Sequence, residues 1–395
     1  PYREPYMKNP AQGKAYEVVA DRIRNKGPIN FDLFMDMALY SERGYYTNEA
    51  PFGMKGDYYT SPTVHPMFGA MIALQLCQMW ECLGRPDPFT VLEIGSGTGV
   101  LARDVVTSLK ASNSQCIDCL EYFTVDRIYP TIRVDGTVPL MPEHLSNLQT
   151  TGVVFSNELL DAMPTRVIEI RLGRIHEVMI SLDSDGNLVE VLSENPMEEL
   201  ESLNIIANLP SLEGYRGPLS TRLNDWCRSV SSALQTGFVV TVDYGMEREE
   251  YYSMDRSHRL IQTYYRHVDN LSYLQRVGDQ DITAHVNFSY FRELALLNNL
   301  KSLHSTNQRD WLYDLHFEEV LNVNTDGEFT SRREVALVNR LVEQEGLGGF
   351  RVEILQKGLS GICYEDLIPT VKFARDNFRI PPISVQHMAA GLSRK

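Results

Sequence analysis

Residues 91–106 read VLEIGSGTGVLARDVV and give the clearest indication of the fold. A short apolar run leads to an acidic residue, three glycines follow at alternate positions, and a helix-like pattern begins at once. Such a stretch predicts a buried strand, a loop whose backbone can approach a ligand closely, and a helix. The chemistry around the loop then narrows the choice of ligand.

The glycine spacing excludes two common nucleotide loops. A P-loop requires Gly-Lys-Ser or Gly-Lys-Thr, and a dinucleotide loop reads G-x-G-x-x-G, whereas this loop reads G-x-G-x-G. Glu93 precedes the first glycine by two positions, and its carboxylate would repel a pyrophosphate. It suits a cation, and S-adenosylmethionine (SAM) carries an ammonium and a sulfonium but no phosphate. A helix start with turn glycines and no ligand is the alternative.

The composition is that of a globular protein and restricts the partners. The chain has 395 residues, of which 43% are apolar and 23% charged, so we expect one large domain with additions or two domains. The net charge of −15 disfavours nucleic acid and anionic membranes and attracts basic protein segments. The longest apolar run, near 67–80, is too short to span a bilayer. The six scattered cysteines indicate free thiols, and we expect no metal.

Strand and helix patterns alternate from residue 65 onward, which predicts a parallel sheet. Helices are expected over 65–83 and 98–110, with strands over 89–94 and 121–125 and strands ending at Asn157 and Asp243. Residues 165–220 alternate with period two, which predicts an inserted antiparallel segment with turns at Gly173-Arg174 and Asp185-Gly186. We therefore expect an α/β, Rossmann-like, mostly parallel doubly wound sheet with helices on both faces. The expected units are a helical extension with a lid loop (1–64), the Rossmann-like domain (65–375) and a weakly structured tail (376–395).

Polar residues follow four predicted strands at the sheet edge where open α/β sheets bind ligands. In chain order the residues at these strand ends, including the three glycines of the loop, are Glu93, Gly95, Gly97, Gly99, Asp126, Asn157, Glu158 and Asp243. Asp126 stands at the end of the second strand, where a carboxylate can hold ribose hydroxyls. The pattern predicts a SAM site formed by Glu93, the three glycines, Asp126 and Asn157.

Several segments resemble one family in particular. LEIGSGTG is similar to motif I of the class I SAM-dependent methyltransferases, and five others resemble the MidA family over about residues 27–358. They are GYYTNEAPFGMKGDYYTSPTVHPMFG, SNELLDAMP, VDYGMEREEYY, YYRH and QDITAHVNF. The family's loop usually reads closer to GPGRG and its second acid is commonly Glu, where this chain has GSGTG and Asp126. These departures leave SAM binding intact and indicate a divergent member.

The resemblance implies an activity and a location. Mitochondrial members of the family are assembly factors of respiratory complex I and protein arginine methyltransferases. It therefore implies a protein substrate with an accessible arginine, SAM as cofactor and S-adenosylhomocysteine as product. It also implies the mitochondrial matrix for a eukaryotic source or the cytoplasm for a bacterial one. A homodimer is compatible with it, and an upstream targeting peptide could have been removed.

Three groups are candidates for the acceptor side. Glu158 and Asp161 would share a face on a helical turn, where paired carboxylates suit a guanidinium, although carboxylates at a helix start can also be simple caps. Asp57, Thr60 and Ser61 in GDYYTSP would form a lid over SAM, or a turn at a helix start. His285, with Asp281 four residues before it, could orient the acceptor or act as a base, but a core histidine is the commoner case.

Three functions stay open at this level. The first is methylation of a protein arginine, and the second is methylation of a small-molecule hydroxyl or carboxyl. The third is a non-catalytic SAM-binding assembly chaperone, against which the intact loop and Asp126 count. Fold alone does not decide among them.

Overall fold

The computed structural model describes residues 12–47, 59–112, 114–194, 209, 212–265, 268–270, 272–325 and 332–388. Its helices are α1 (Tyr16–Lys26), α2 (Phe31–Tyr40), α3 (Ser61–Val64), α4 (Met67–Cys82), α5 (Val100–Ala111), α6 (Leu223–Ala233), α7 (Arg248–Tyr251), α8 (Phe288–Leu297), α9 (Gln308–Asp314), α10 (Phe317–Thr325), α11 (Arg332–Arg340) and α12 (Val371–Asn377). Its strands are β1 (Ile29–Asn30), β2 (Phe89–Ile94), β3 (Leu120–Val125), β4 (Thr137–Leu140), β5 (Thr150–Asn157), β6 (Arg166–Arg171), β7 (Arg174–Leu182), β8 (Leu188–Leu192), β9 (Arg216–Leu219), β10 (Leu234–Asp243), β11 (Gly245–Met246), β12 (Ile261–Tyr265), β13 (Val268–Asn270), β14 (Asp281–Ala284), β15 (Val286–Asn287), β16 (Lys301–Asn307) and β17 (Arg351–Lys357).

The main sheet has the strand order β16-β17-β10-β5-β2-β3-β4. The strands from β10 to β4 are mutually parallel, whereas β17 is antiparallel to both β10 and β16. From β2 the chain continues to β3 on one side, and β5 later adds on the other side. This reversal opens a crevice at the carboxyl ends of β2 and β5, where such sheets bind ligands. The predicted α/β, Rossmann-like, mostly parallel sheet is confirmed.

Both faces of the main sheet are covered. All six residues of β2 are buried, and successive side chains enter opposite cores. Phe89 and Val91 pack with residues of α4 and α5, whereas Leu92 and Ile94 pack with residues of α6 and α8. This burial on two sides explains why the strand reads as an apolar run rather than as an alternating one.

A second, antiparallel sheet has the order β1-β7-β6-β9, with β8 also paired to β7. The turn between β6 and β7 is formed by Leu172 and Gly173, both at positive φ, so it lies one residue earlier than predicted. The predicted antiparallel segment is otherwise present. Helices α1 and α2 pack on this sheet, with Phe34 and Leu39 sharing a core with Ile180. Helices α1 and α2 and the second sheet thus form one layered unit.

The carboxyl-terminal residues have little regular structure but are packed. No helix or strand follows Asn377 within the described residues, which end at 388, yet Phe378 and His387 are fully buried. The small sheet β13-β12-β14 was not predicted. The proposed unit boundaries at 64, 165, 220 and 376 stay predictions.

Candidate active site

The glycine loop joins β2 to α5 through three left-handed residues. Gly95, Gly97 and Gly99 have φ of 78°, 51° and 85°, a region that most side chains disfavour. A Cβ on Gly95 would lie 2.9 Å from Leu159 Cδ1. Gly99 occupies the position before Val100, so α5 begins two residues later than predicted. The loop therefore needs glycine for its backbone path.

Asp126 connects the end of β3 to this loop. Its Oδ2 accepts a hydrogen bond of 2.8 Å from the Gly97 N–H, and Oδ1 accepts one of 3.4 Å from the Ile128 N–H. Burial raises the pKa of Asp126, and the backbone donors partly offset this effect. Asp126, the acid predicted at the end of the second strand, thus lies directly beside Gly97.

Glu93 is buried beneath the loop. Its Oε2 accepts a hydrogen bond of 2.7 Å from the Tyr122 hydroxyl on β3. Burial raises the pKa of Glu93 to about 8, although the bond from Tyr122 acts in the opposite direction. A neutral carboxyl in the ligand-free protein would become ionised beside a bound cation, because an opposite charge favours the ionised form.

A cavity of about 650 Å³ opens at the crevice, within the usual range for small-molecule sites. Of the predicted site residues, those that line it are Thr60, Glu93, Gly95, Gly97, Asp126, Asn157 and Glu158. Gly99 does not line it, since a Cβ there would face the backbone oxygen of Ile132 at 3.1 Å. Predicted residues from four separate chain segments are thereby brought together.

The cavity wall has the donors and acceptors that SAM would need. Ser96 Oγ and Asn157 Oδ1 are buried at this wall without a hydrogen-bond partner among the described residues. A buried polar atom without a partner is costly, so these two atoms favour a polar ligand. With the carboxyls of Glu93 and Asp126 nearby and the close backbone of the loop, the residues present fit SAM.

Glu158 follows β5 in a left-handed conformation with φ of 50°, which is uncommon for a residue with a side chain. Its N–H donates to Val242 O at 2.8 Å, and its Oε1 accepts from Asn157 Nδ2 at 2.8 Å and from the Ser61 N–H at 3.4 Å. Burial, with the nearby Asp161 charge as a second cause, raises the pKa of Glu158 to about 8. The strained backbone and the two donors hold this carboxyl at the cavity wall.

Asp161 is close to Glu158 in sequence but does not line the cavity. Residues 158–163 form a turn rather than a helix, so the expected shared helical face does not exist. Asp243 at the end of β10 organises this turn, because its Oδ2 accepts from the N–H groups of Leu159 at 3.1 Å and Leu160 at 2.7 Å. Burial raises the pKa of Asp161 to about 6.

His285 also lies away from the cavity wall. Its two ring nitrogens are buried without a hydrogen-bond partner among the described residues, so Asp281 does not orient it. Asp281 begins β14, and four residues along a strand separate side chains by about 13 Å, whereas one helical turn would bring them together. Asp281 instead accepts from the Tyr46 hydroxyl at 3.0 Å. Burial lowers the pKa of His285 to about 4.

The predicted lid is only partly described. Asp57 lies outside the described residues. Thr60 lines the cavity and also caps α3 in a reciprocal arrangement with Thr63, so the turn at a helix start is present and the lid stays a prediction. The Ser61 side chain is turned away, since its hydroxyl donates to Gln308 Oε1 at 3.0 Å, and only its N–H reaches Glu158.

Several lining residues escaped the sequence analysis. Tyr40 and Tyr46 stack with ring centroids 5.4 Å apart, and the Arg127 guanidinium lies 4.3 Å from the Tyr40 centroid. Arg222 and Trp226, at the start of α6, line another part of the wall. The two adjacent tyrosines in GYYT could have indicated Tyr46 as a site residue. Nothing in the sequence of α6 indicates that its first residues belong to a site.

The strand order, the glycine loop at the reversal point and the cavity with its carboxyls define a class I SAM-dependent methyltransferase. Residues 71–306 match the model of a family described as "Putative S-adenosyl-L-methionine-dependent methyltransferase". The chain belongs to this family, the MidA family of SAM-dependent methyltransferases.

Two crystal structures from Burkholderia thailandensis are similar over nearly the whole chain. One, described as a "likely methyl transferase" and bound to S-adenosyl-homocysteine, is 25% identical with a TM-score of 0.79 and covers 95% of this chain and 98% of that one. A native structure is 26% identical with a TM-score of 0.76 and the same coverage. SAM is accordingly the cofactor.

The matches to two curated relatives cover about two thirds or more of each relative's length. The protein arginine methyltransferase NDUFAF7 homolog, mitochondrial, of Drosophila melanogaster is 24% identical over 69% of this chain and 68% of its own. The human protein arginine methyltransferase NDUFAF7, mitochondrial, is 23% identical over 77% of this chain and 74% of its own. The arginine methyltransferase activity in these names is that of the relatives.

The described part of the chain has neither a group of side chains suited to a metal ion nor a membrane-spanning helix. No group of three or more His, Cys, Asp or Glu side chains within the described ranges is arranged to hold a metal ion. No helix in that part of the chain is long and apolar enough to cross a membrane. All six cysteines are free, as their spacing indicated.

Proposed function

We propose that the protein transfers the methyl group of SAM to an arginine side chain of a partner protein. The observation that carries this proposal is the carboxyl of Glu158. It lines the cavity beside Asn157, and its Oε2 receives no hydrogen bond from the described residues, while Oε1 is held by two donors. A guanidinium needs such an acceptor, because every one of its polar atoms is a donor.

Each group of site residues has a separate task in this proposal. Bound SAM supplies an electrophilic methyl group on a sulfonium. Asp126 holds the ribose hydroxyls, and the backbone of the Gly95–Gly97 loop approaches the rest of the cofactor. Glu158 orients the acceptor nitrogen in line with the methyl, which is the main requirement for a displacement reaction. A bound guanidinium would favour the ionised form of Glu158, whose Oε2 could then take the proton that the guanidinium loses on methylation.

The remaining wall and the overall charge favour a basic protein substrate. Tyr40 and Tyr46 form an aromatic surface, and the guanidinium of Arg127 stacks over the Tyr40 ring. This contact shows that the ring can bind a guanidinium. The net charge of −15 would attract a basic segment. The names of the curated relatives agree with an arginine acceptor. A mitochondrial matrix location for a eukaryotic source and a homodimer stay predictions.

Product analysis tests this proposal. The purified protein is incubated with SAM labelled in the methyl group and with arginine-containing basic peptides, each matched by a peptide with lysine at that position. Hydrolysis should release labelled methylarginine from the arginine peptides only. Label released as a methyl ester or ether from small-molecule acceptors would contradict the proposal. SAM binding without label in any acceptor would favour the non-catalytic chaperone.

A further inference from the structure

Residues 378–388, here called the C-terminal strap, lie along α5 toward the cofactor loop. The carbonyl of Arg379 accepts from Ser108 Oγ at 2.8 Å near the end of α5. Nearer its start, Arg103 Nη1 donates to Gln386 Oε1 at 3.2 Å. Phe378 is fully buried in the core that contains the α5 residues, so the strap is anchored by packing as well.

A buried polar pair fixes the strap to the first turns of α5. His387 Nε2 lies 2.8 Å from Asp104 Oδ2, and the two side chains are 0% and 1% exposed. The Ser384 N–H donates a hydrogen bond to His387 Nδ1 at 3.0 Å. Nε2 is therefore the protonated ring nitrogen, and its N–H donates a hydrogen bond to Asp104. Arg103 Nη2 also donates to Asp104 Oδ1 at 2.7 Å. Without His387, a buried carboxylate would lose one of these partners.

The same turn of α5 continues directly into the cofactor loop. The Arg103 N–H donates to Gly99 O at 3.1 Å, and Val100 and Leu101 line the cavity. Helix α4 also fits Asp104 closely, since a Cβ on Gly69 would lie 2.4 Å from Asp104 Cβ. Because both α4 and the strap pack against Asp104, the start of α5 has little room to shift.

We propose that the C-terminal strap positions the cofactor loop, with His387 acting through Asp104, so that strap docking and SAM binding are coupled. A docked strap holds the first turns of α5, and therefore Gly99 and the loop before it, in the conformation that binds SAM. Since coupling between two binding events is reciprocal, bound SAM must stabilise the docked strap by the same factor. His387 and Arg103 are positioning residues in this scheme, because neither lines the cavity.

Calorimetry of SAM binding, which requires no methyl acceptor, tests the forward direction. His387→Ala should raise the Kd for SAM by about tenfold, within the usual range of coupling. His387→Gln should largely restore binding, because its amide nitrogen can donate to Asp104. Val385→Ala is the matched control within the strap, since Val385 is 76% exposed, and it should bind as the unmodified protein does.

Hydrogen exchange of the unmodified protein tests the reverse direction. Saturating SAM should slow exchange at the strap amides, including those of Ser384 and His387, by a similar factor. A folded His387→Ala variant with unchanged SAM affinity would overturn the proposal, and so would strap exchange that is indifferent to SAM. Should His387→Ala fail to fold, the exchange measurement still decides, because it needs no substitution.

Discussion

Gly97 and Asp126 show how the cofactor site depends on single residues. The left-handed backbone of Gly97 directs its N–H to the Asp126 carboxylate, so the loop and the end of β3 support one another. Both residues could be predicted from the sequence, because the glycine spacing and the polar residue after a strand are local signals. The strained backbone of Glu158 could not, since it depends on a bond from its N–H to Val242 in a distant segment.

Substitution of Gly97 by valine should abolish SAM binding. Valine strains a backbone at φ of 51° and places its side chain at the cavity wall. Calorimetry should show no measurable SAM binding by a protein that keeps its circular dichroism spectrum. Gly136→Val is the matched control, because Gly136 also has positive φ, 95°, but lies outside the cavity wall with open space around its Cβ position. Unchanged SAM affinity in Gly97→Val would contradict the assignment of the loop.

Asp126→Ala should weaken SAM binding by about 1–3 kcal/mol, the usual cost of a lost hydrogen bond to a charged group. The variant would lose the proposed contact to the ribose and the bond from the Gly97 N–H. A titration of SAM followed by calorimetry measures the change. An affinity equal to that of the unmodified protein would show that another residue holds the ribose.

Among the secondary-structure elements, the turn after β5 carries the proposed acceptor side of the site. Asp243 at the end of β10 accepts hydrogen bonds from the N–H groups of Leu159 and Leu160, so one strand end shapes the loop of its neighbour. The sequence predicted both strand ends correctly but placed Glu158 and Asp161 on a helix. It also placed Asp281 beside His285. Both errors have the same origin, because residues three or four positions apart share a face in a helix but need not do so in a turn or a strand.

Replacing Asp243 by alanine should release this turn. The Leu159 and Leu160 N–H groups would lose their acceptor, and we expect a loss of about 1–3 kcal/mol in the free energy of unfolding. Turnover should fall more than SAM affinity, because Glu158 would lose its fixed position. Ser156→Ala is the matched control, since it removes a buried 2.8 Å bond to Thr241 between the same two strands without touching the turn. Equal effects of the two variants on turnover would contradict this role.

Across the whole molecule, the cavity is bounded both by the layered unit around the second sheet and by the main sheet with its helices. The Tyr40 hydroxyl donates to Ala162 O at 2.9 Å, and the Tyr46 hydroxyl reaches Asp281. These contacts join residues more than a hundred positions apart, so no local pattern could predict them. The main sheet could be predicted, because strand periodicity, apolar runs and turn glycines are all local properties.

The buried carboxyls of the site predict the pH dependence of stability. The pKa values of Glu93 and Glu158 are raised to about 8 by burial, well above that of an exposed glutamate. Their contribution to stability is therefore complete below about pH 4.5 and is lost as pH rises through about 8. In thermal unfolding without ligand, the unmodified protein should melt lower at pH 9 than at pH 6. The double variant Glu93→Gln, Glu158→Gln should show a flatter profile, and an equally steep one would contradict the assignment.

In the proposed reaction, Glu158 holds a cationic acceptor while other residues hold SAM. The most direct measurement is the turnover of an arginine-containing acceptor by the unmodified protein and by Glu158→Gln, with SAM affinity determined in parallel by calorimetry. We predict that turnover falls by a factor of about 10²–10³, the scale of lost positioning and charge stabilisation, while the Kd for SAM is nearly unchanged. Full turnover in Glu158→Gln would contradict the claim, and a collapse of SAM affinity would place Glu158 in the cofactor site instead.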